Sequence, residues 1–311
     1  MQQKRTVTTL TLLIAMVAIA ATTMGIFSSE GRGNYQYISI RGEAVTIHGK
    51  GLYKDMSAEV APQGMAQDYV TLLIGVPLLL ISLYAARGGS LKGRFLLAGV
   101  LGYFFVNYLF YTVMAMYNEM FLGYVFLAGA SFFSFILTVL SFDSKNLPSS
   151  FGPATPFRAT GGFLIFNSLA IAMLWLSTVV PPLLNGSIVP LQAEHYTTLI
   201  VQGLDLGILL PAAIIVAVLF IRKRPLGYLL CPVYFTFLSL LMTALTAKVI
   251  AMAILGYNVI PVVFIIPTFN LLTIICTVSI LRGINKQQSR ITADKPGKAQ
   301  IPVGRLTTGD R

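Results

Sequence analysis

Two ionisable side chains stand where ionisable side chains are costly. Asp205 and Lys248 both fall inside long apolar runs of the chain. A charge within a bilayer costs about 2.5–3.5 kcal/mol on insertion scales, so such groups are usually paired or functional. Each lies about seven or eight residues from the same end of the bilayer, roughly 10–12 Å deep at 1.5 Å per residue. Adjacent antiparallel helices would hold them at one level. Gly203 and Gly207 flank Asp205, and Ala247 and Ala251 flank Lys248. Such small-xxx-small spacing lets helix backbones approach closely. The pattern predicts an Asp205–Lys248 ion pair. It would serve either as a fastening between two helices or as part of a substrate or proton site.

Further polar groups collect on the same side. His195, Thr198, Gln202 and Asp205 are spaced to share one face of a sixth span. Asn107, Tyr111, Met114 and Asn118 are spaced to share a face of the third, with Glu119 just beyond it and Asp68 at the mouth of the second. Eight of the 11 acids lie on this side. Together these residues predict a polar pocket open to that side. Taken singly, Asp68, Glu119 and His195 also fit helix caps or groups in the headgroup zone. Adjacent residues on a helix do not face each other, which argues against Glu194–His195 as an acid/base pair. The sequence has no Walker A, G-x-S-x-G or H-E-x-x-H pattern, so the common signatures of nucleotide motors, hydrolases and zinc proteases are missing. Cys231 and Cys276 sit in apolar runs, and the two histidines, His48 and His195, are isolated. No metal site and no cofactor is expected.

The elements that must position these residues follow from composition. Hydrophobic residues make up 56% of the chain and charged residues 11%, against about 25% charged in soluble domains. The surplus apolar surface must face lipid, so the expected fold is an all-α integral membrane protein in contact with the bilayer. Runs near the 20 residues needed to cross fall at roughly 7–27, 69–86, 95–117, 120–142, 161–182, 197–221, 227–255 and 259–281, eight spans in all. Charge distribution orients them. With the N-terminus inside, 17 of the 22 Lys and Arg residues are cytoplasmic and four are outside, in segment 28–68. This is the positive-inside pattern, and it accounts for the net charge of +11 without invoking nucleic acid. A signal peptide is the alternative for the first span, but its apolar run is long for one and reads as a retained anchor.

Segment 28–68 alternates apolar and polar residues over 35–40 and 45–48, with Gly42 and Glu43 between, and predicts a short extracytoplasmic β-hairpin. Residues 143–160 read as a cytoplasmic linker, and 282–311 as a basic, disordered cytoplasmic tail. The two membrane halves, 1–142 and 161–281, read as parallel copies of one four-span unit. The second span of each half carries Gln67-Asp68 or Gln202 to Asp205, then a proline, Pro77 or Pro211, then a basic turn. The third carries Tyr103-Phe104 or Tyr234-Phe235. On this alignment Asp68 and Asp205 are equivalent. Even-numbered repeats of this kind are related by an axis along the membrane normal.

The stretch Gly49-Lys50-Gly51-Leu52-Tyr53, with Gln63 and Gln67-Asp68 leading into the second span, resembles a group of bacterial polytopic membrane proteins with no assigned activity. The Asp205 helix and the Arg222 to Gly227 turn are similar to the later part of such proteins. The resemblance implies a bacterial cytoplasmic membrane and no particular reaction. The leading expectation is therefore binding or transport of a small or amphiphilic molecule, with Asp205 and Lys248 at the base of the pocket. Rival expectations are a membrane-embedded enzyme acting on a lipid-like substrate, and a partner or sensor subunit recognised through segment 28–68.

Overall fold

The computed structural model describes residues 2–284; the expected basic tail lies outside them from residue 285 onward. Among the described residues eight helices are long and apolar enough to cross a membrane: α1 (Lys4–Phe27), α2 (Val60–Arg87), α3 (Leu91–Met114), α4 (Phe121–Leu140), α5 (Phe157–Asn185), α6 (Ile200–Ile221), α7 (Pro225–Ile254) and α8 (Val262–Arg282). The protein is an all-α multi-pass membrane protein. Between α1 and α2 lies a two-stranded antiparallel hairpin, β1 (Tyr35–Ile38) and β2 (Ala44–Ile47), with Tyr35 opposite Ile47 and Ile38 opposite Ala44. Gly42 turns it at φ +81°, a conformation that costs glycine nothing. The face of the bundle that carries this hairpin is called the hairpin side below.

Of the helix boundaries that differ from the expected ones, two matter for the site. Helix α2 starts at Val60, about nine residues before the apolar run, because Val60, Ala61, Met65 and Ala66 pack on the core although polar residues are interleaved with them. Asp68 is therefore not at the mouth of the span. It lies about 12 Å inside the helix, at 1.5 Å per residue, and is 2% exposed. Helix α6 starts at Ile200, so His195 falls in the preceding turn and does not share a helical face with Gln202 and Asp205.

The hairpins α2–α3 and α6–α7 are built alike at a constant spacing of 134 residues. Each second-span helix widens into a π-helical turn, at Thr71–Gly75 and at Asp205–Leu209. Each widened turn ends two residues before a proline, Pro77 or Pro211. A proline has no N–H to donate and its ring crowds the preceding turn, so the helix loosens there. In the connecting turns Gly89 and Lys223 both take positive φ. The Ser90 and Arg224 amides donate to the Ala85 and Leu219 carbonyls at 3.1 and 2.9 Å. Gly93 and Gly227 then press against the end of the preceding helix: a Cβ on either would stand 2.7 Å or less from its backbone.

This register corrects the expected equivalence of the two acids. Asp205 corresponds to Thr71, the first residue of the other widened turn, and Asp68 corresponds to Gln202. The aromatic pairs Tyr103-Phe104 and Tyr234-Phe235 are likewise three residues out of step.

Helix α7 joins the halves. It packs along α8 and α6 on its own side and along α2 and α3 of the first half. At its crossing with α3 a Cβ on Gly99 would stand 2.4 Å from Thr236, so a glycine is needed there. Helix α1 packs on α2 and α4 through Ile14, Ala15, Ala18 and Ala21, all buried. The arrangement is not symmetric. Helix α2 lies closely along α7, but α6 barely touches α3.

Candidate functional site: a cavity between the halves

The gap between α6 and α3 is a cavity of about 450 Å³, a volume usual for small-molecule sites. Its wall is mainly aliphatic, from Leu209, Leu238, Leu241, Leu245, Val249 and Ile266. Gln202 and Asp205 enter it from α6, Lys248 from α7, and Asn107 and Tyr111 from α3. The sequence-predicted pocket thus gathers five of its eight residues around one space. Towards the hairpin side the cavity reaches the exposed loop residues Gln192 and Thr198.

The expected Asp205–Lys248 ion pair does not form. The two groups share the cavity, but no contact of 4.0 Å or less joins them. The Asp205 carboxylate accepts instead from the indole N–H of Trp175 on α5, at 2.8 Å from Oδ2. Among the described residues no protein group hydrogen-bonds to the Lys248 ammonium. The close approach expected at Gly203 and Gly207 is also absent, since nothing lies within 4 Å of a Cβ built on either. These glycines face away from the neighbours that would have brought Asp205 and Lys248 together.

Two buried amides belong to the cavity wall. Asn107 is 4% exposed and its Nδ2 has no acceptor; Asn167 on α5 is 1% exposed and its Oδ1 has no donor. Both of these atoms are themselves covered by protein, so neither is open to the cavity.

Asp68 sits one layer behind the cavity wall. Tyr53 donates to its Oδ2 at 2.5 Å, and Tyr111 donates to its Oδ1 at 3.1 Å and also approaches the Gly64 carbonyl at 3.0 Å. Burial holds the Tyr53 phenol far above its ordinary range, so it remains a donor. Both tyrosines line the cavity and separate Asp68 from it. On the far side, Gly25 of α1 leaves the room the carboxylate occupies. Beside it Gln67 donates to the Tyr103 hydroxyl at 2.8 Å, which also meets the Thr71 hydroxyl at 2.8 Å.

The remaining two predicted residues lie elsewhere. Glu119 pairs with Lys54 at 2.6 Å on the exposed hairpin side. That hydrogen bond holds the Glu119 carboxyl below its usual range. His195 Nε2 meets the Asp55 carbonyl at 3.0 Å, and its ring packs on Tyr37 and Tyr196. It belongs to a clasp that fixes the hairpin onto the loop leading into α6. In the same clasp one Arg41 guanidinium nitrogen donates to the Glu194 and Tyr196 carbonyls at 2.8 and 2.6 Å, and Tyr196 accepts from the Ser57 amide at 3.3 Å.

Trp175, Asn167, Tyr53 and Gly25 are not among the sequence-predicted site residues; Tyr53 entered only through the resemblance. One signal was available: Trp175 is the chain's only tryptophan. Several Ser and Thr residues of α4 and α8 bond their own helices, as in Thr138 to Ser134 and Thr277 to Thr273, which is a packing role; Thr277 also meets the Phe235 carbonyl and the Ser239 hydroxyl of α7, and the Ser134 hydroxyl has no partner. Among the described residues no group of three or more His, Cys, Asp or Glu side chains could hold a metal ion. No family model, curated protein or solved structure matches the chain.

Proposed function

We propose that this membrane protein binds or transports a small or amphiphilic molecule in the cavity between α3 and α6. The observation that carries the reading is a mainly aliphatic cavity holding two oppositely charged side chains that do not pair. A structural salt bridge would close on itself; these groups stand open to the space. The enzyme reading is weaker, because Glu119 and His195 are engaged outside the cavity and Asp68 is sealed behind two tyrosines.

The charge count supports placing both termini in the cytoplasm, with the hairpin side outside. The likeness to bacterial polytopic proteins supports a bacterial cytoplasmic membrane. The matching turns of the α2–α3 and α6–α7 hairpins support a duplicated four-span unit. A partner or sensor role draws on Ile38 and Ile40, apolar side chains exposed on the hairpin, and predicts co-purification with a second membrane protein.

The test is mass spectrometry of small molecules that co-purify with the wild-type protein and with Asp205→Asn. Retention of a molecule by the wild type, and its loss in a folded Asp205→Asn variant, is the expected result. If Asp205→Asn combined with Lys248→Met keeps everything the wild type retains, the reading is wrong.

A further inference from the structure

We propose that the cavity takes a zwitterion: a ligand with an ammonium group and an anionic group a short distance apart, joined to an apolar body. The inference rests on the binding reading above and deepens it.

Charge and hydrogen-bonding capacity carry it. Asp205 has one oxygen occupied by Trp175 and the other without a protein donor among the described residues. Lys248 has three N–H donors and no protein acceptor there. An anion alone would satisfy Lys248 and leave it facing Asp205; a cation alone would do the reverse. Either would add net charge to a mainly aliphatic space, which is costly when the charge is unpaired. A zwitterion laid against the two side chains, ammonium to Asp205 and anion to Lys248, pairs both and adds none. The aliphatic wall then covers the rest of the ligand. Asp68 does not compete for the ligand, since it has two hydroxyl donors of its own and does not line the cavity.

Two sources supply this chemistry: free apolar α-amino acids, and the phosphoethanolamine headgroup of a lipid. A volume of about 450 Å³ suits a small molecule or a headgroup.

The experiment measures equilibrium binding to the purified full chain in nanodiscs of phosphatidylglycerol alone. The probes are L-leucine, L-methionine and L-phenylalanine, with isoamylamine and 4-methylpentanoate as single-charge analogues of leucine. For an amino acid that binds, the analogues should bind on the order of 100-fold more weakly, the factor that corresponds to about 2.7 kcal/mol for a buried charge left unpaired. Asp205→Asn should remove the discrimination against 4-methylpentanoate, and Lys248→Met that against isoamylamine. The wild-type analogue series stands alone if either variant does not fold. In a parallel arm the protein is extracted from membranes containing phosphatidylethanolamine, and native mass spectrometry reads which lipid stays bound. Selective retention of phosphatidylethanolamine, lost in Asp205→Asn, with no amino-acid binding, would assign the same chemistry to the lipid source. If a single-charge analogue or a neutral molecule occupies the cavity as tightly as any zwitterion, the zwitterion inference is overturned and the binding reading survives. If neither arm nor the co-purification assay finds any occupant, both fall.

Discussion

Gly25→Ala is the most searching single change in the bundle, because it strikes the junction of α1 with the buried Asp68 carboxylate. A Cβ at position 25 would stand 1.9 Å from Asp68 Oδ2 and 2.8 Å from the Tyr53 hydroxyl. Neither can stay where it is. Overpacking of a dense core costs about 1–3 kcal/mol. Displacing the carboxyl also breaks the Tyr53 hydrogen bond, worth about 0.5–1.5 kcal/mol. Alanine in place of a helical glycine returns about 1 kcal/mol. The net expectation is a loss of about 0.5–3.5 kcal/mol.

The decisive measurement is a double-mutant cycle with Asp68→Ala, followed by reversible denaturant unfolding in detergent. Once the carboxyl is gone, Gly25→Ala still meets the Tyr53 hydroxyl at 2.8 Å, but that hydroxyl has lost its acceptor and can turn into the vacated space, so the cost of the alanine should shrink. The coupling energy should therefore be about 1 kcal/mol or more, against the few tenths that separate independent sites. A cost for Gly25→Ala that is the same with and without Asp68 would refute the placement of the carboxylate against α1.

Gly93→Ala and Gly227→Ala should each destabilise the protein by about 1–3 kcal/mol, and by similar amounts, because both press a Cβ into the end of the preceding helix. Gly203→Ala and Gly207→Ala, with open space around them, should cost nothing and gain up to about 1 kcal/mol from helix propensity; the four can be ranked by thermal unfolding. Arg41→Met removes the donor to the Glu194 and Tyr196 carbonyls, so amide exchange over 193–196 should speed up on the order of 10-fold or more. For Glu119 the hydrogen bond from Lys54 lowers the carboxyl's pKa, so the contact should hold through the usual glutamate range and be lost only as pH falls through the lowered value. A carboxyl-carbon NMR titration reads this, and Lys54→Met should raise the Glu119 pKa towards its ordinary range, with the backbone hydrogen bond still holding it down in part.

The spans were legible because lipid imposes a length and a polarity that few other settings share. All eight appear at the expected places, and the hairpin forms where alternation and Gly42 put it. Boundaries failed where polar residues were interleaved with packing ones. Val60, Ala61 and Met65 carry α2 past the apolar run, and that extension turns Asp68 from a mouth residue into a buried one. The apolar stretch that opens at residue 197 hid the opposite error, because the chain there is a turn clasped by Arg41 and not helix. The likeness of the two hairpins was visible in their prolines and basic turns, but aligning the two acids put them three residues out of register; the positive-φ turn residues Gly89 and Lys223 fix the alignment. The ion pair was inferred from equal depth along two helices. Depth does not specify azimuth, and the Trp175 indole, contributed by a helix outside the argument, already holds Asp205.

The asymmetry between two like hairpins explains why a cavity lies where it does. If the halves were packed identically, α6 would lie along α3 as α2 lies along α7, and the bundle would be closed. At the register position where α2 has Asp68, α6 has Gln202, and where α2 has Thr71, α6 has Asp205. The first half encloses its acid with Tyr53, Tyr111 and the glycine of α1, so α2 can press against the core. The second half encloses Asp205 only through Trp175 of α5, and the loop between α5 and α6 gives it no counterpart to Tyr53. An acid so incompletely enclosed is unfavourable against the apolar flank of α3. The space is instead left between them, with Lys248 on its wall. On this argument the same widened, proline-ended turn serves two purposes: in α2 it belongs to the packed core, and in α6 it leaves Asp205 open to whatever enters.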